Sequence, residues 1–301
     1  MRFCVLASGS SGNASVLSAG GFGVLLDLGL GPRTLTRRLA DVGASWNDVH
    51  AAVLTHVHGD HWNENTLAHL ARRDIPLHCH QSHATALKYE SPVFAELLES
   101  DRLFFYEVGA TISLGDQIAC RPLVLRHDGG MTCGFRFEGA LDGLGKTWAL
   151  AYAADLGSWD ADLAEALANV DILALEFNHD EQLEKQSGRG QALIQRVLGD
   201  HGHLSNRQAA ELLAAVLARS DSGRLQHVVQ LHLSRQCNRP ELARMEAAKI
   251  VEEHWVELHT GAQDSAGAWL GVRAAPTRKK ARSSRRMACP VHQPWLPGWE
   301  T

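Results

Sequence analysis

Residues Leu54 to Trp62 read LTHVHGDHW and close the apolar run AAVL, so that His56, His58, Asp60 and His61 fall within six consecutive positions. Directly after a strand, in a loop where neither helix nor pleat dictates direction, imidazoles from alternate residues can converge on one point. Two histidines two residues apart suit one ion, while Asp60 and the adjacent His61 can turn toward a second. Nitrogen and carboxylate ligands at about 2.0–2.2 Å are what zinc takes. The bland alternative is a polar turn with chance histidines, and four such residues after one apolar strand weigh against it.

Working outward, RFCVLASGS and GFGVLLDLGL read as short strands joined by turns. TLTRRLADVGAS has helical spacing, AAVLTH is a strand of the buried kind, ENTLAHLARRD and HATALKYE are helices, and IPLHCH is a strand between them. A second strand-rich stretch runs from RLFFYEV through ATISLGDQIACRPLVLRH and CGFRFEG to TWALAYAADLG. Helix DADLAEALANV, strand DILALEFNHD, helix RQAAELLAAVLA, strand LQHVVQLHLS and helix PELARMEAAKIVEEHW follow. Two sets of strands in series, each with helices, predict an α/β fold with four layers, an αββα sandwich.

The loop alone leaves two ions under-coordinated, so further ligands should stand at later strand ends. LVLRHD delivers His127, ALAYAADLG delivers Asp155 and VVQLHLS delivers His232, each after an apolar run. Asp155 can give one carboxylate oxygen to each of two ions.

This pattern resembles the metallo-β-lactamase fold superfamily over roughly Met1 to Leu258. The resemblance assigns His56, His58 and His127 to a first metal, Asp60, His61 and His232 to a second, and Asp155 to both. Asp27, in LLDLGL, matches an aspartate that supports the metal loop without being a ligand. LASGSSGNA, LEFNHD, GHLSN and LHLSRQCNRPEL are similar to stretches of the YycJ (WalJ)-type hydrolases, relatives of tRNase Z. That branch implies a dinuclear phosphodiesterase or nuclease, with 5′–3′ DNA exonuclease activity as an expectation. The implied cofactors are two divalent ions, Zn2+ or Mn2+, and the implied partner is nucleic acid, DNA favoured over RNA. Only 47 residues separate Asp155 from His203, too few for the extra domain of the β-CASP nucleases. Thioester or lactone hydrolysis of the glyoxalase II kind is the competing chemistry, since the same ligands serve carbonyl substrates.

For a phosphodiester, a hydroxide shared by the two ions would attack phosphorus, with Asp60 orienting it or accepting its proton. His203, in GHLSN, is the candidate to contact a phosphate oxygen or protonate the leaving oxygen, because a histidine titrates near operating pH. Its alternatives are a further metal ligand or a place beside a helix cap formed by Ser205 or Asn206. Ser10 and Asn13, in SGSSGN, and Asn178 and His179, in EFNHD, are weaker candidates for substrate contact. HCHQSH, His78 to His83, has metal-like density but also the alternation of a strand with one polar face.

With 301 residues, 45% of them apolar and 21% charged, the chain can bury a sizeable core. The net charge of −5 divides into about +5 beyond Pro276 and about −10 before it, which counts against a broad basic nucleic-acid footprint. No signal-peptide pattern or membrane-length apolar run is evident, and the six scattered cysteines read as reduced thiols, so a cytoplasmic location and no membrane partner are expected. The expected division is a hydrolase domain over 1–273 and a basic, disordered tail over 274–301.

Overall fold

A computed structural model describes residues 1–141 and 145–272. The basic tail and Cys289 lie outside the described residues. Among the described residues, fourteen strands form two seven-stranded sheets, with helices on both outer faces, the expected αββα order.

The first sheet contains β1 (Arg2–Ala7), β2 (Ala14–Ala19), β3 (Phe22–Leu26), β4 (Ala51–Val53), β5 (Leu77–His80), β6 (Leu103–Tyr106) and β14 (Leu270–Gly271). Their order is β14-β1-β2-β3-β4-β5-β6. The second contains β7 (Ile112–Leu114), β8 (Ile118–Leu125), β9 (Thr132–Ala140), β10 (Thr147–Ala153), β11 (Ile172–Glu176), β12 (His227–Leu231) and β13 (Glu257–Thr260), ordered β13-β12-β11-β10-β9-β8-β7. Strands β3 to β6 and β10 to β13 run parallel within their sheets. Parallel strands buried on both faces need continuous apolar runs, which explains ILAL in β11 and HVVQL in β12.

Two details differ from the serial reading. RLFFYEV contributes β6 to the first sheet, where it pairs with β5, and the chain returns after β13 to add β14 beside β1. A two-residue strand carries no periodicity, so nothing local marks that return.

Three apolar clusters correspond to the three interfaces. Phe3, Phe135, Phe137, Trp148 and Tyr152 fill the space between the sheets. Beneath α1 (Pro32–Asp41), α2 (Glu64–Arg72), α3 (Gln81–Glu90) and α4 (Pro92–Leu98) lie Leu25, Ala52, Leu54 and Leu77. The other face packs α5 (Ala161–Ala166), α8 (Asn206–Arg219) and α9 (Pro240–Val251) on Leu173, Leu175 and Val228, and the short helices α6 (Glu181–Lys185) and α7 (Gln191–Leu198) connect β11 to α8. Local chemistry fixes the helix starts. Pro32, Pro92 and Pro240 occupy first turns, and Ser205 and Gln208 form a reciprocal capping box at α8. Cys4, Cys79, Cys120, Cys133 and Cys237 are buried free thiols. No helix among the described residues is long and apolar enough to cross a membrane.

Candidate metal centre

The strands deliver their polar ends to one edge of the sandwich. Asp27 follows β3, His56 to His61 follow β4, His127 follows β8, Asp155 follows β10, Glu176 ends β11 and His232 follows β12. Asp27, Asp155 and His232 adopt left-handed backbone conformations, with φ of 61°, 61° and 55°. Such conformations cost non-glycine residues about 1–3 kcal/mol each and persist where surroundings enforce them, characteristically at functional sites.

Metal-binding atoms gather within 4.8 Å of one another in four overlapping groups: His56, His58 and His127; His56, His61 and Asp155; Asp60, His61 and His232; and Asp155, Glu176, His203 and His232. All seven side chains expected to meet therefore do so, and His203 and Glu176 join them.

A single buried carboxylate organises the first loop. Asp27 Oδ1 accepts from the Thr55 backbone N–H and hydroxyl, both at 2.9 Å, and Oδ2 accepts from His61 Nδ1 at 2.8 Å. Because the Thr55 hydroxyl spends its proton on Asp27, it acts as the acceptor for His56 Nδ1, 3.0 Å away. The tautomer of His56 is thereby set, and its Nε2 lone pair is buried with no hydrogen-bonding partner. His127 Nδ1 likewise donates to the Gly202 carbonyl at 2.8 Å, so its Nε2 faces His58 Nδ1, 3.2 Å away, as a bare nitrogen. Asp155 Oδ2 lies 2.8 Å from His61 Nε2 but without hydrogen-bond geometry. The two buried ligand atoms left without a partner, His56 Nε2 and Asp155 Oδ2, are costly to bury unless a cation stands beside them. The donor set fits divalent metal ions, and the outward hydrogen bonds are those that orient metal-ligating histidines.

The charged groups of the cluster act strongly on one another. Burial opposes a charged His61, but the carboxylates of Asp155 and Asp27 outweigh it and raise the imidazole to about 10. Desolvation dominates at His56 and holds it well below the usual histidine value. For Asp155, burial favours the neutral acid, yet the positive charges of His232 and His61 hold the carboxyl well below its ordinary range.

Glu176, fully buried, was not among the sequence candidates. Its Oε2 accepts from the backbone N–H groups of Leu156 (3.0 Å) and Leu204 (3.2 Å). Its Oε1 accepts from His203 Nδ1 at 2.8 Å and lies 3.1 Å from His232 Nδ1. The His203 ring sits between those of His127 and His232, at centroid distances of 4.8 and 5.2 Å. Burial disfavours its charge, but the Glu176 carboxylate prevails and raises its pKa. The signal for Glu176 was present in LALEFNHD, where the acid ends an apolar run just as Asp155 does.

The weaker candidates divide. Asn13 Nδ2 reaches Asp60 Oδ2 (3.1 Å) and His61 Nε2 (3.0 Å), and Asn178 Nδ2 reaches the His232 carbonyl at 2.9 Å. Ser10 is exposed on its turn, and the serine of that run that touches the centre is Ser8, whose hydroxyl accepts from His232 N at 2.7 Å. His179 is buried with neither ring nitrogen hydrogen-bonded and lies outside the four groups. Gly129 is a further unexpected requirement: a Cβ there would stand 2.5 Å from His56 Cδ2, 3.2 Å from His58 Cε1 and 3.3 Å from His127 Cδ2. The HCHQSH stretch is structural: His78 stacks on Phe104, His80 caps α3 and His83 Nε2 donates to the Met131 carbonyl at 2.7 Å.

Fold and side-chain cluster together define a divalent-metal hydrolase. The chain belongs to the beta-lactamase superfamily domain family, whose model matches residues 23–221. It is 29% identical over 244 residues to exodeoxyribonuclease WalJ of Streptococcus pneumoniae, covering 81% of this chain and 86% of that protein. Exodeoxyribonuclease YycJ of Bacillus anthracis is 27% identical over 254 residues, 84% of this chain and 90% of its own. Among solved structures, Zn2+-bound PqqB from Methylobacterium extorquens superposes with a TM-score of 0.62 at 16% identity, over 90% of this chain and all (100%) of that one. The short form of human tRNase Z gives 0.58 at 15% identity, over 89% and 99%. At these identities the structural likeness speaks to the fold.

Proposed function

We propose that this protein is a dinuclear metal-dependent phosphodiesterase that acts as an exonuclease on DNA ends. The observation that carries this reading is the convergence of His56, His58, His127, Asp60, His61, His232 and Asp155, with unpaired buried atoms on His56 and Asp155, beside a histidine whose pKa a buried glutamate raises. The two exodeoxyribonuclease relatives, matched over more than four-fifths of the chain, support DNA as the substrate. His56, His58 and His127 would hold one ion, Asp60, His61 and His232 the other, and Asp155 both. Zn2+ and Mn2+ both suit this nitrogen and oxygen set. The buried free thiols agree with work in the cytoplasm.

When bound, two such ions supply Lewis acidity and an activated water to an in-line displacement at phosphorus. The chain's own residues do the rest. Burial works against the Asp60 carboxylate, but the hydrogen bond from His232 and the charge of His61 hold its pKa below the ordinary value, so it is an ionised proton acceptor. Asn13 and His232, each 3.1 Å from Asp60 Oδ2, fix its orientation. His203, with Nδ1 committed to Glu176, has Nε2 to protonate the leaving oxygen or bind a phosphate oxygen.

The test is an assay on end-labelled single- and double-stranded DNA and RNA with Zn2+ or Mn2+, beside bis-p-nitrophenyl phosphate and a small thioester. Metal-dependent release of nucleotides from DNA ends is the expected result. Turnover of the thioester alone would overturn the proposal.

A further inference from the structure

A second built set of metal-binding side chains stands at the opposite end of β12. β13 pairs with β12 in parallel, placing His227 beside Glu257 and Val229 beside His259. Residues two apart on a strand share a face, so Glu257 and His259 both project alongside His227. His227 Nδ1 is 3.1 Å from His259 Nε2, and Glu257 Oε2 lies 3.5 Å from the first and 3.9 Å from the second. These separations approach those of ligands about 2.0–2.2 Å from a common ion, which lie roughly 3–3.5 Å apart in a tetrahedral site.

The tautomer of His227 is suited to the task. Its Nε2 is 3.3 Å from the Gly271 carbonyl, which can only accept, so the ring proton sits there and Nδ1 turns a lone pair toward His259 and Glu257. Metal-ligating histidines are commonly oriented in this way by a backbone carbonyl on the far nitrogen. His227 is buried, whereas Glu257 is exposed and His259 half-buried, so an ion has a route in and water can complete its coordination. Arg244, which donates to the Leu258 carbonyl at 3.3 Å, is the positive charge an ion must coexist with, and Glu257 offsets it. Five residues of extended strand separate His227 from His232, roughly 16 Å, so the set is distinct from the dinuclear centre.

We propose that His227, Glu257 and His259 form a third divalent-cation site, structural in role and suited by two imidazoles and a carboxylate to Zn2+. An ion there clamps the edge strand β13 to β12 and, through His227, to β14 of the opposite sheet. A ring-to-ring hydrogen bond between His227 and His259 is the competing account, and metal counting separates the two.

The full-length protein is dialysed against Zn2+ and its bound metal counted by mass spectrometry, alongside His259→Ala and His259→Gln. Three equivalents for the unaltered chain and two for both variants, with hydrolysis of bis-p-nitrophenyl phosphate unchanged, is the expected outcome. In an Asp155→Ala background, Zn2+ should still raise the melting temperature, and adding His259→Ala should make that rise smaller. Equal Zn2+ content in the unaltered chain and the His259 variants overturns the proposal, whatever the total.

Discussion

Glu176→Gln separates a positioning role from a merely structural one. The substitution keeps the shape of the buried side chain and leaves one oxygen for the Leu156 and Leu204 N–H groups, so the turn after β11 retains its backbone bonds. The amide NH2 then faces His203 Nδ1 at the 2.8 Å position now held by a carboxylate oxygen. Nδ1 must become an acceptor, the ring can no longer be an imidazolium, and its remaining Nε2–H is too weak an acid to protonate a leaving alkoxide. General-acid catalysis contributes about 10²–10⁴-fold, and that is the expected loss of kcat on DNA. A p-nitrophenolate departs without help, so bis-p-nitrophenyl phosphate should lose less than about tenfold. Replacing the charged partner of half-buried His203 and buried His232 should also cost on the order of 2 kcal/mol in stability. The assay compares both substrates at saturating Mn2+, with bound metal measured in parallel. Equal losses on the two substrates at full metal occupancy, or no loss on DNA, would refute the assignment of His203 as the acid positioned by Glu176.

Asp27→Asn removes the acceptor that sets the tautomers of His56 and His61, and metal affinity should fall about 10–100-fold, read by competition with a chromophoric chelator. Gly129→Ala drives a methyl group into three imidazoles, so metal occupancy should fall sharply while circular dichroism stays unchanged; full occupancy would show that the rings can yield. In the metal-free protein, His61 is raised to about 10, so its contribution to folding is complete below about pH 6.5 and lost as pH rises through about 10. Glu176, lowered from 4.5 to about 2, contributes above about pH 4.5 and loses its effect as pH falls through about 2. A divalent ion replacing the His61 proton removes the alkaline loss, so melting curves with EDTA and with Mn2+ should diverge above about pH 7, and parallel curves would contradict the assignment.

The centre was legible in the sequence wherever a polar residue closes an apolar strand: His56 to His61 after AAVL, His127 after LVL, Asp155 after ALAYAA and His232 after VVQL. The same rule applied to LALEFNHD picks Glu176, yet the loop residues Asn178 and His179 drew the reading away from it. Glu176 and Asn178 differ by two positions and both reach His232, whereas His179, of opposite parity, does not join them. A run of consecutive polar residues does not reveal which parity faces the centre until the neighbouring strand fixes the register. Ser8 rather than Ser10 meets His232 for a similar reason. Gly9 and Gly12 take φ of 136° and 143°, and a turn through such conformations breaks the alternation from which side-chain direction is read. The sandwich itself followed from the alternation of apolar strands and helices. The membership of β6 and β14 did not, because sheet assignment depends on pairings between segments far apart in the chain.

Anomalous diffraction from crystals soaked in Mn2+ bears most directly on the whole account. Two peaks at the strand ends around Asp155, roughly 3.5–4 Å apart, one within reach of His56, His58 and His127 and the other of Asp60, His61 and His232, are the expected result. A single ion, or none, with Asp155 turned away from both histidine groups, would contradict it.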